Sequence, residues 1–221
     1  MAEAMTVETI VEAYWQLQDF WTKVRYPFQP KGVGWSDIDI LAYHPENKVL
    51  VIAESKVRGP KKNVYAYTKH SKKEYGSIFD FDDSGYLSFL DNIKPICSGG
   101  VIFKDFKKSV NKVVIQLVSN YYIDDAVLPE VKKDILGYIK KSIPKGIELE
   151  IRLDTTFDTI CEIIQMENKK SQGRRYGHPV LDIAREVNRY LHPDIRYGKG
   201  KAEIDVIKNK FKDKFKKAID L

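Results

Sequence analysis

The first quarter of the chain combines one helical pattern with two strand-like runs. Apolar residues recur at intervals of three and four between Thr6 and Trp21, which predicts an amphipathic helix capped by Thr6. The segment 27–34 contains Pro and Gly and predicts a loop. Residues 36–43 and 48–56 are strand-like and are separated by the turn sequence HPEN, so we expect an antiparallel hairpin.

The middle of the chain predicts further helices and two more strands. Helical patterns occur around 65–79 and 86–94, and the run 111–120 is apolar enough for a strand in the centre of a sheet. Pro129 suits the first turn of another helix. Apolar and polar residues then alternate strictly over 147–153, which predicts a strand.

After residue 153 the pattern is wholly helical. A helix capped by Asp154 or Thr155 is expected to end near Lys170, and two more helices are expected at 179–191 and 202–219. The apolar stripes of these two helices are Val180, Ile183, Val187 and Leu191, and Ile204, Ile207, Phe211 and Phe215. We therefore predict an α/β core over residues 1–153 and a helical C-terminal extension over 154–221, packed on the core or at a dimer interface.

Composition places the chain among globular proteins with a sizeable core. Of the 221 residues, 43% are hydrophobic and 12% are aromatic. No apolar run approaches the ~20 residues that cross a bilayer, and the acidic, amphipathic N-terminus is unlike a signal peptide. Cys97 and Cys161 are far apart and predict reduced thiols. We expect a cytoplasmic protein without a membrane partner.

The charge distribution favours a polyanionic partner. The formal net charge is +6 and the isoelectric point is near 9.0. Lysines and arginines cluster in segments that contain no acid, namely 56–73 and 168–177. The candidate nucleic-acid-binding residues in these segments are Arg58, Lys61, Lys62, Lys169, Lys170, Arg174 and Arg175. DNA is the expected partner, because such clusters can contact successive phosphates.

Charged residues interrupt both strands of the predicted hairpin. Residues two apart in a strand share a face, so Asp37 and Asp39 are expected to point together, as are Glu54 and Lys56. The apolar neighbours expected on the opposite face are Ile38, Ile40, Val51 and Ala53. Three carboxylates at one end of a hairpin repel one another unless a cation lies between them, and oxygen ligands suit Mg²⁺ or Mn²⁺.

At these residues the sequence resembles the PD-(D/E)XK nuclease superfamily. The matching motif is Asp39 in one strand, followed by Glu54, Ser55 and Lys56 at the end of the next strand. The resemblance implies a restriction-endonuclease-like αβββαβ core with a mixed central sheet. It also implies that Asp39, Glu54 and the main-chain carbonyl of Ser55 hold Mg²⁺ or Mn²⁺, and that Lys56 serves the attacking water.

Two assignments stay open within this resemblance. Asp37 is a rival metal ligand, although Asp39 lies deeper in its strand and is preferred. Archaeal Holliday-junction resolvases, one branch of the superfamily, add a glutamate from the first helix; Glu12 and Glu8 are the candidates, with Glu12 preferred as a catalytic residue. The resemblance covers residues 6–120 and leaves the helical extension unexplained.

The resemblance implies a metal-dependent DNA endonuclease, and structure-selective cleavage of junctions or branched DNA in recombination or repair is the first expectation. A homodimer is expected, because symmetrical cleavage of two strands needs two active sites. The alternatives are a nucleic-acid-binding protein of the same fold that does not cut, and a nuclease subunit of a larger complex.

Overall fold

The structure is a computed structural model that describes residues 2–29, 36–56, 66–80, 87–97, 110–119, 122–169 and 177–196, together with residues 209 and 213. The helices are α1 (Ala2–Gln16), α2 (Lys69–Tyr75), α3 (Phe89–Cys97), α4 (Leu128–Ile139), α5 (Thr156–Lys169) and α6 (Pro179–Arg196). The strands are β1 (Trp21–Phe28), β2 (Ser36–His44), β3 (Val49–Lys56), β4 (Ala66–Tyr67), β5 (Lys112–Ser119), β6 (Tyr122–Ile123) and β7 (Glu148–Thr155).

The chain is an α/β protein built on a five-stranded mixed sheet. The strand order is β1-β2-β3-β5-β7, with antiparallel pairing in the β1–β2–β3 half and parallel pairing in the β3–β5–β7 half. β4 and β6 form a separate short parallel pair. The predicted hairpin, the buried third strand and the mixed sheet are therefore confirmed. No described helix is both long and apolar enough to cross a membrane.

The prediction for residues 17–28 was wrong. The first helix ends at Gln16 rather than at Trp21, and Asp19 turns the chain with a φ of +68°. The next residues form the strand β1, which was expected to be helix end and loop. Pro27 is tolerated because β1 lies at the edge of the sheet, where one side of the strand has no ladder to complete.

Two hydrophobic clusters cover the two faces of the sheet. The α1-side cluster joins α1, α5 and α6 to the sheet and includes Val11, Leu17, Ile40, Val51, Val114, Ile164 and Leu181. The α4-side cluster joins α3 and α4 to the other face and includes Leu41, Ile52, Leu90, Val113, Ile115 and Ile135. β5 supplies residues alternately to both clusters, which explains why its sequence is apolar throughout most of its length.

The described part of the C-terminal segment packs on the α1 side of the sheet. Thr155 is the N-cap of α5, as one of the two predicted alternatives had it, because its Oγ1 accepts from the backbone N–H of Asp158 at 3.0 Å. The apolar stripe predicted for α6 was partly wrong: Val180 and Val187 pack against the α1-side cluster, whereas Ile183 is 64% exposed and Leu181 is buried instead. The side chain of Leu191 and most of the predicted helix 202–219 lie outside the described residues.

A buried polar chain ties α1 to two strands beneath the α1-side cluster. The amide of Gln116 is fully buried; its oxygen accepts from Nε1 of Trp15 at 2.7 Å, and its nitrogen donates to Asp154 at 2.7 Å. Nε of Arg152 donates to the same Asp154 oxygen at 3.1 Å. If the central amide were removed, the indole N–H of Trp15 would lose its acceptor and, among the described residues, Asp154 would keep only Arg152 as a donor.

We predict that Gln116→Leu lowers the free energy of unfolding by on the order of 1–3 kcal/mol, because the buried indole N–H of Trp15 loses its acceptor and Asp154 loses one of its two described donors. Urea unfolding followed by tryptophan fluorescence measures the change. The control is Glu148→Gln, which disturbs an exposed ion pair with Lys112 and should change stability by less than about 0.5 kcal/mol. Equal stability of the wild type and the Gln116→Leu variant would contradict the prediction.

Candidate metal-binding active site

The candidate site lies where β2 separates from β3. Among the described residues, the antiparallel register runs from His44 opposite Val49 to Ile40 opposite Ala53 and continues no further. Beyond that point the Asp39 side chain takes the place of the ladder. Its Oδ2 accepts from the backbone N–H of Ser55 at 2.7 Å and from the Ser55 hydroxyl at 2.8 Å. The carboxylate is therefore fixed against the end of β3 by two short hydrogen bonds.

The separation coincides with an irregular position in β1. Arg25 has a φ of +50°, and it is the position opposite Asp39 at which the β1–β2 register is interrupted, although pairing resumes with the same offset on both sides. Ile40 packs in the α1-side cluster, whereas Ile38 packs in the α4-side cluster. The expectation that Ile38 and Ile40 share one face was therefore wrong. The alternation of side chains between the two faces of β2 is interrupted at Asp39, opposite Arg25.

Glu54 and Lys56 form an ion pair at the carboxyl end of β3, with Nζ 2.6 Å from Oε1. The Glu54 side chain is 14% exposed and that of Lys56 is 36% exposed. Burial, followed by the charge of Asp39, raises the pKa of Glu54 from its ordinary value of 4.5 to about 7, although Lys56 lowers it and Asp37 adds a small increase. The ionised form of Glu54 is therefore disfavoured first by burial and then by the neighbouring carboxylate of Asp39.

The main-chain carbonyl of Ser55 is directed to the same gap. In an antiparallel pair, a residue's N–H and C=O point towards the same neighbouring strand. Because the N–H of Ser55 reaches Asp39 on β2, its carbonyl also faces the space between the two strands. The Ser55 side chain is buried on the opposite side from Glu54 and Lys56.

The donor set suits a small divalent cation. Within the described residues, no three His, Cys, Asp or Glu side chains are grouped so that they could hold a metal by themselves. Mg²⁺ needs no such group, since it is usually held by one or two carboxylates and keeps several waters. Asp39 and Glu54 supply two carboxylates, and the Ser55 carbonyl supplies a third oxygen. Burial is the main cause of the raised pKa of Glu54 and the charge of Asp39 is the second, and a cation between the two carboxylates would lower it.

Asp37 lies on β2 opposite Pro27 and is exposed. Its charge contributes to the pKa of Glu54, but less than the charge of Asp39 does. Among the described residues, Asp37 makes no hydrogen bond to β3, in contrast to Asp39. The structure thus brings Asp39, Ser55, Glu54 and Lys56 together and leaves Asp37 at the rim.

The two helix candidates have different partners. Oε1 of Glu12 accepts from Gln16 at 3.1 Å and from Thr22 at 3.0 Å, and its Oε2 lies 3.8 Å from Nε2 of His178. The structure therefore gives the Glu12 carboxylate a role between α1, β1 and the start of α6.

Glu8 is tied to the site by way of Arg25. The Glu8 carboxylate is buried, and it accepts from Nε of Arg25 at 3.1 Å and from one terminal nitrogen of the same guanidinium at 3.0 Å. These hydrogen bonds raise the pKa of Arg25, and the charges of Asp37 and Asp39 add to the effect. Sequence reasoning missed Arg25, since nothing in the pattern distinguishes it from other surface cations.

The predicted DNA-binding residues cannot be placed relative to this site. Arg58, Lys61, Lys62, Lys170, Arg174 and Arg175 lie outside the described residues, and Lys169 is the last residue of α5 with its side chain also outside them. These assignments remain predictions. Cys97 and Cys161 are both buried, and they lie in the two different hydrophobic clusters.

Comparison with known proteins adds little to this site. No protein-family model matches the chain, and no curated protein matches it. The crystal structure of AF1548, a protein of unknown function, is 11% identical and aligns with a TM-score of 0.32, over 83% of this chain and 97% of that one. A likeness at this TM-score supports no argument about fold or function.

We predict that the stability of the metal-free protein depends on the charge of Glu54. Because folding raises the pKa of this carboxyl, the folded state binds more protons than the unfolded state between about pH 4.5 and pH 7, and stability falls as the pH rises through this window. The change that Glu54→Gln causes in the free energy of unfolding should therefore be more favourable at pH 8 than at pH 5, by about 2 kcal/mol.

Urea unfolding in EDTA at the two pH values measures this difference. Glu46→Gln, in the exposed turn between β2 and β3, is the control, because it removes the same carboxylate charge outside the site. A pH-independent effect of Glu54→Gln would contradict the prediction.

Proposed function

We propose that the protein is a metal-dependent phosphodiesterase of the PD-(D/E)XK nuclease superfamily that cleaves DNA internally. The observation that carries the proposal is the grouping of Asp39, Glu54 and Lys56 around Ser55 at the point where β2 leaves β3. Leaving aside the short β4 of the separate pair, the order of α1, three strands of the main sheet, two helices and β5 agrees with the αβββαβ core that the resemblance implies.

Each side chain has a distinct part in the proposed reaction. Ser55 holds the Asp39 carboxylate in one orientation through two hydrogen bonds, so little reorganisation accompanies binding. The Lys56 ammonium, next to Glu54 and partly exposed, can orient a water for attack and offset the charge that develops on the phosphate. A bound Mg²⁺ or Mn²⁺ would supply Lewis-acid activation of the phosphodiester.

DNA is the proposed substrate because the chain is basic overall and concentrates its cations in acid-free segments. A junction or branched duplex is the proposed form of that DNA, with a place in recombination or repair. This choice rests on the resemblance to archaeal junction resolvases.

We expect Asp39→Asn and Glu54→Gln each to lower the cleavage rate by at least about a hundredfold, because each removes a charged oxygen ligand from the site. Cleavage of labelled linear, flapped and four-way DNA in Mg²⁺, Mn²⁺ or EDTA measures the effect. Ca²⁺ should support DNA binding without cleavage, since it tolerates looser coordination than Mg²⁺.

Asp37→Asn is the matched control, since it removes the same charge from the same strand two residues away, and it should cause a milder loss. Lys56→Ala should abolish turnover and leave DNA affinity nearly unchanged, because its charge is already paired with Glu54. Binding of DNA by the wild type without cleavage in either metal would instead identify a non-catalytic binding protein or a subunit that needs a partner.

We also propose that the active form is a homodimer, since symmetrical cleavage of two strands needs two sites. Light scattering should give about twice the chain mass of 25.6 kDa. We expect α6 to contribute to the dimer interface, and Ile183 on this helix is exposed. Ile183→Asp should therefore lower the measured mass without lowering the melting temperature. A monomer that still cuts both strands of a four-way junction symmetrically would contradict the dimer.

A further inference from the structure

Arg25 has a backbone conformation that its position in a strand does not explain. Its φ of +50° lies in the left-handed region, where a residue other than glycine costs on the order of 1 kcal/mol. The interruption falls opposite Asp39, the residue that faces the end of β3. Backbone strain of this kind persists where the surrounding structure enforces it, and it is concentrated at functional sites.

Glu8 holds the guanidinium of Arg25 from one side. The carboxylate belongs to a residue that is only 4% exposed, and a buried charge of this kind is costly unless it is paired and hydrogen-bonded. It accepts from Nε and from one terminal nitrogen, which is the side edge of the guanidinium plane. A planar group held at two points has a fixed direction, which a lysine at the same place would lack.

The end edge of the same guanidinium is left open. Arginine has five N–H donors, and Glu8 takes two of them, so three remain. Among the described residues, none of these three makes a hydrogen bond, and the Arg25 side chain is 51% exposed. Arg25 is the position opposite Asp39 in the β1–β2 register, so the guanidinium belongs to the strand that borders the candidate metal site, and the charges of Asp37 and Asp39 both act on it. Two parallel donors match two oxygens of a phosphate group.

We propose that Arg25 binds a backbone phosphate of the DNA strand next to the Asp39–Glu54 site, and that Glu8 is the positioning residue that directs it. This inference rests on the proposed nuclease function and deepens it. An ion pair that only fastened α1 to β1 would be satisfied by the Glu8 edge alone. The phosphate role also accounts for the open edge of the guanidinium and for the irregular backbone of Arg25 at the position opposite Asp39.

The test compares three chains: the wild type, Arg25→Lys, and the double variant Glu8→Gln with Arg25→Gln. The double variant removes both charges together, so no buried carboxylate is left unpaired. Binding to labelled four-way and linear DNA is measured in Ca²⁺ over a range of salt concentrations, and the single-turnover rate is measured in Mg²⁺ at saturating DNA. We expect Kd to rise about tenfold for the double variant, with the salt slope reduced by about one. The Kd of Arg25→Lys should lie between those of the wild type and the double variant, because lysine keeps the positive charge but cannot make the paired hydrogen bonds of a guanidinium.

Lys23→Gln is the matched control, since Lys23 is an exposed cation on the same edge strand without a glutamate partner among the described residues, and Kd should change less than about twofold. An unchanged Kd for both Arg25 variants, with a lower melting temperature, would identify a purely structural pair and overturn the inference while leaving the nuclease proposal intact. If the double variant does not fold, Arg25→Lys decides by the same criterion. A wild type that neither binds nor cuts DNA would overturn the nuclease proposal, and this inference with it.

Discussion

The pair of hydrogen bonds from Ser55 to the Asp39 carboxylate is the interaction on which the site depends. A backbone N–H at the end of a strand must find an acceptor, and here the neighbouring strand has already left the ladder. A side-chain oxygen supplies that acceptor and is itself fixed in the process. This contact satisfies the last N–H of β3 at the point where β2 and β3 separate. Two carboxylates, the Ser55 carbonyl and the Lys56 ammonium border the gap between the two strands.

The electrostatics of this gap follow from the sheet geometry. Glu54 lies at the carboxyl end of a parallel-paired strand and is largely removed from water, and Asp39 is held close to it from β2. Lys56 offsets part of the repulsion, and Arg25 adds a second cation from the edge strand, with Glu8 behind it. A crowded group of this kind favours a ligand that is positive towards the carboxylates and negative towards the cations, as a metal-bound phosphodiester would be.

The rigidity of the surroundings gives these few side chains a defined geometry. The two hydrophobic clusters hold the sheet from both faces, and the buried amide of Gln116 links α1 to β5 and β7 on the α1 side. α1 carries both glutamates of the neighbourhood, and their different partners separate their roles: Glu12 is bound to Thr22 and Gln16, and Glu8 to Arg25. The position of α1 therefore influences the site through β1.

The sequence alone determined the features that depend on local periodicity: the β2–β3 hairpin, the buried β5, the cap of α5 at Thr155 as one of two choices, and the joint placement of Glu54 and Lys56. The edge strand β1 could not be predicted, because its proline and its two cations resemble a loop unless a neighbouring strand is present to pair with them. Only the tertiary structure decided that Ile38 and Ile40 pack on opposite faces, that Leu181 rather than Ile183 is buried, and that Glu8 holds Arg25. Each of these depends on contacts between segments far apart in the chain, and on one residue's left-handed backbone, neither of which a pattern of residue types along the sequence contains.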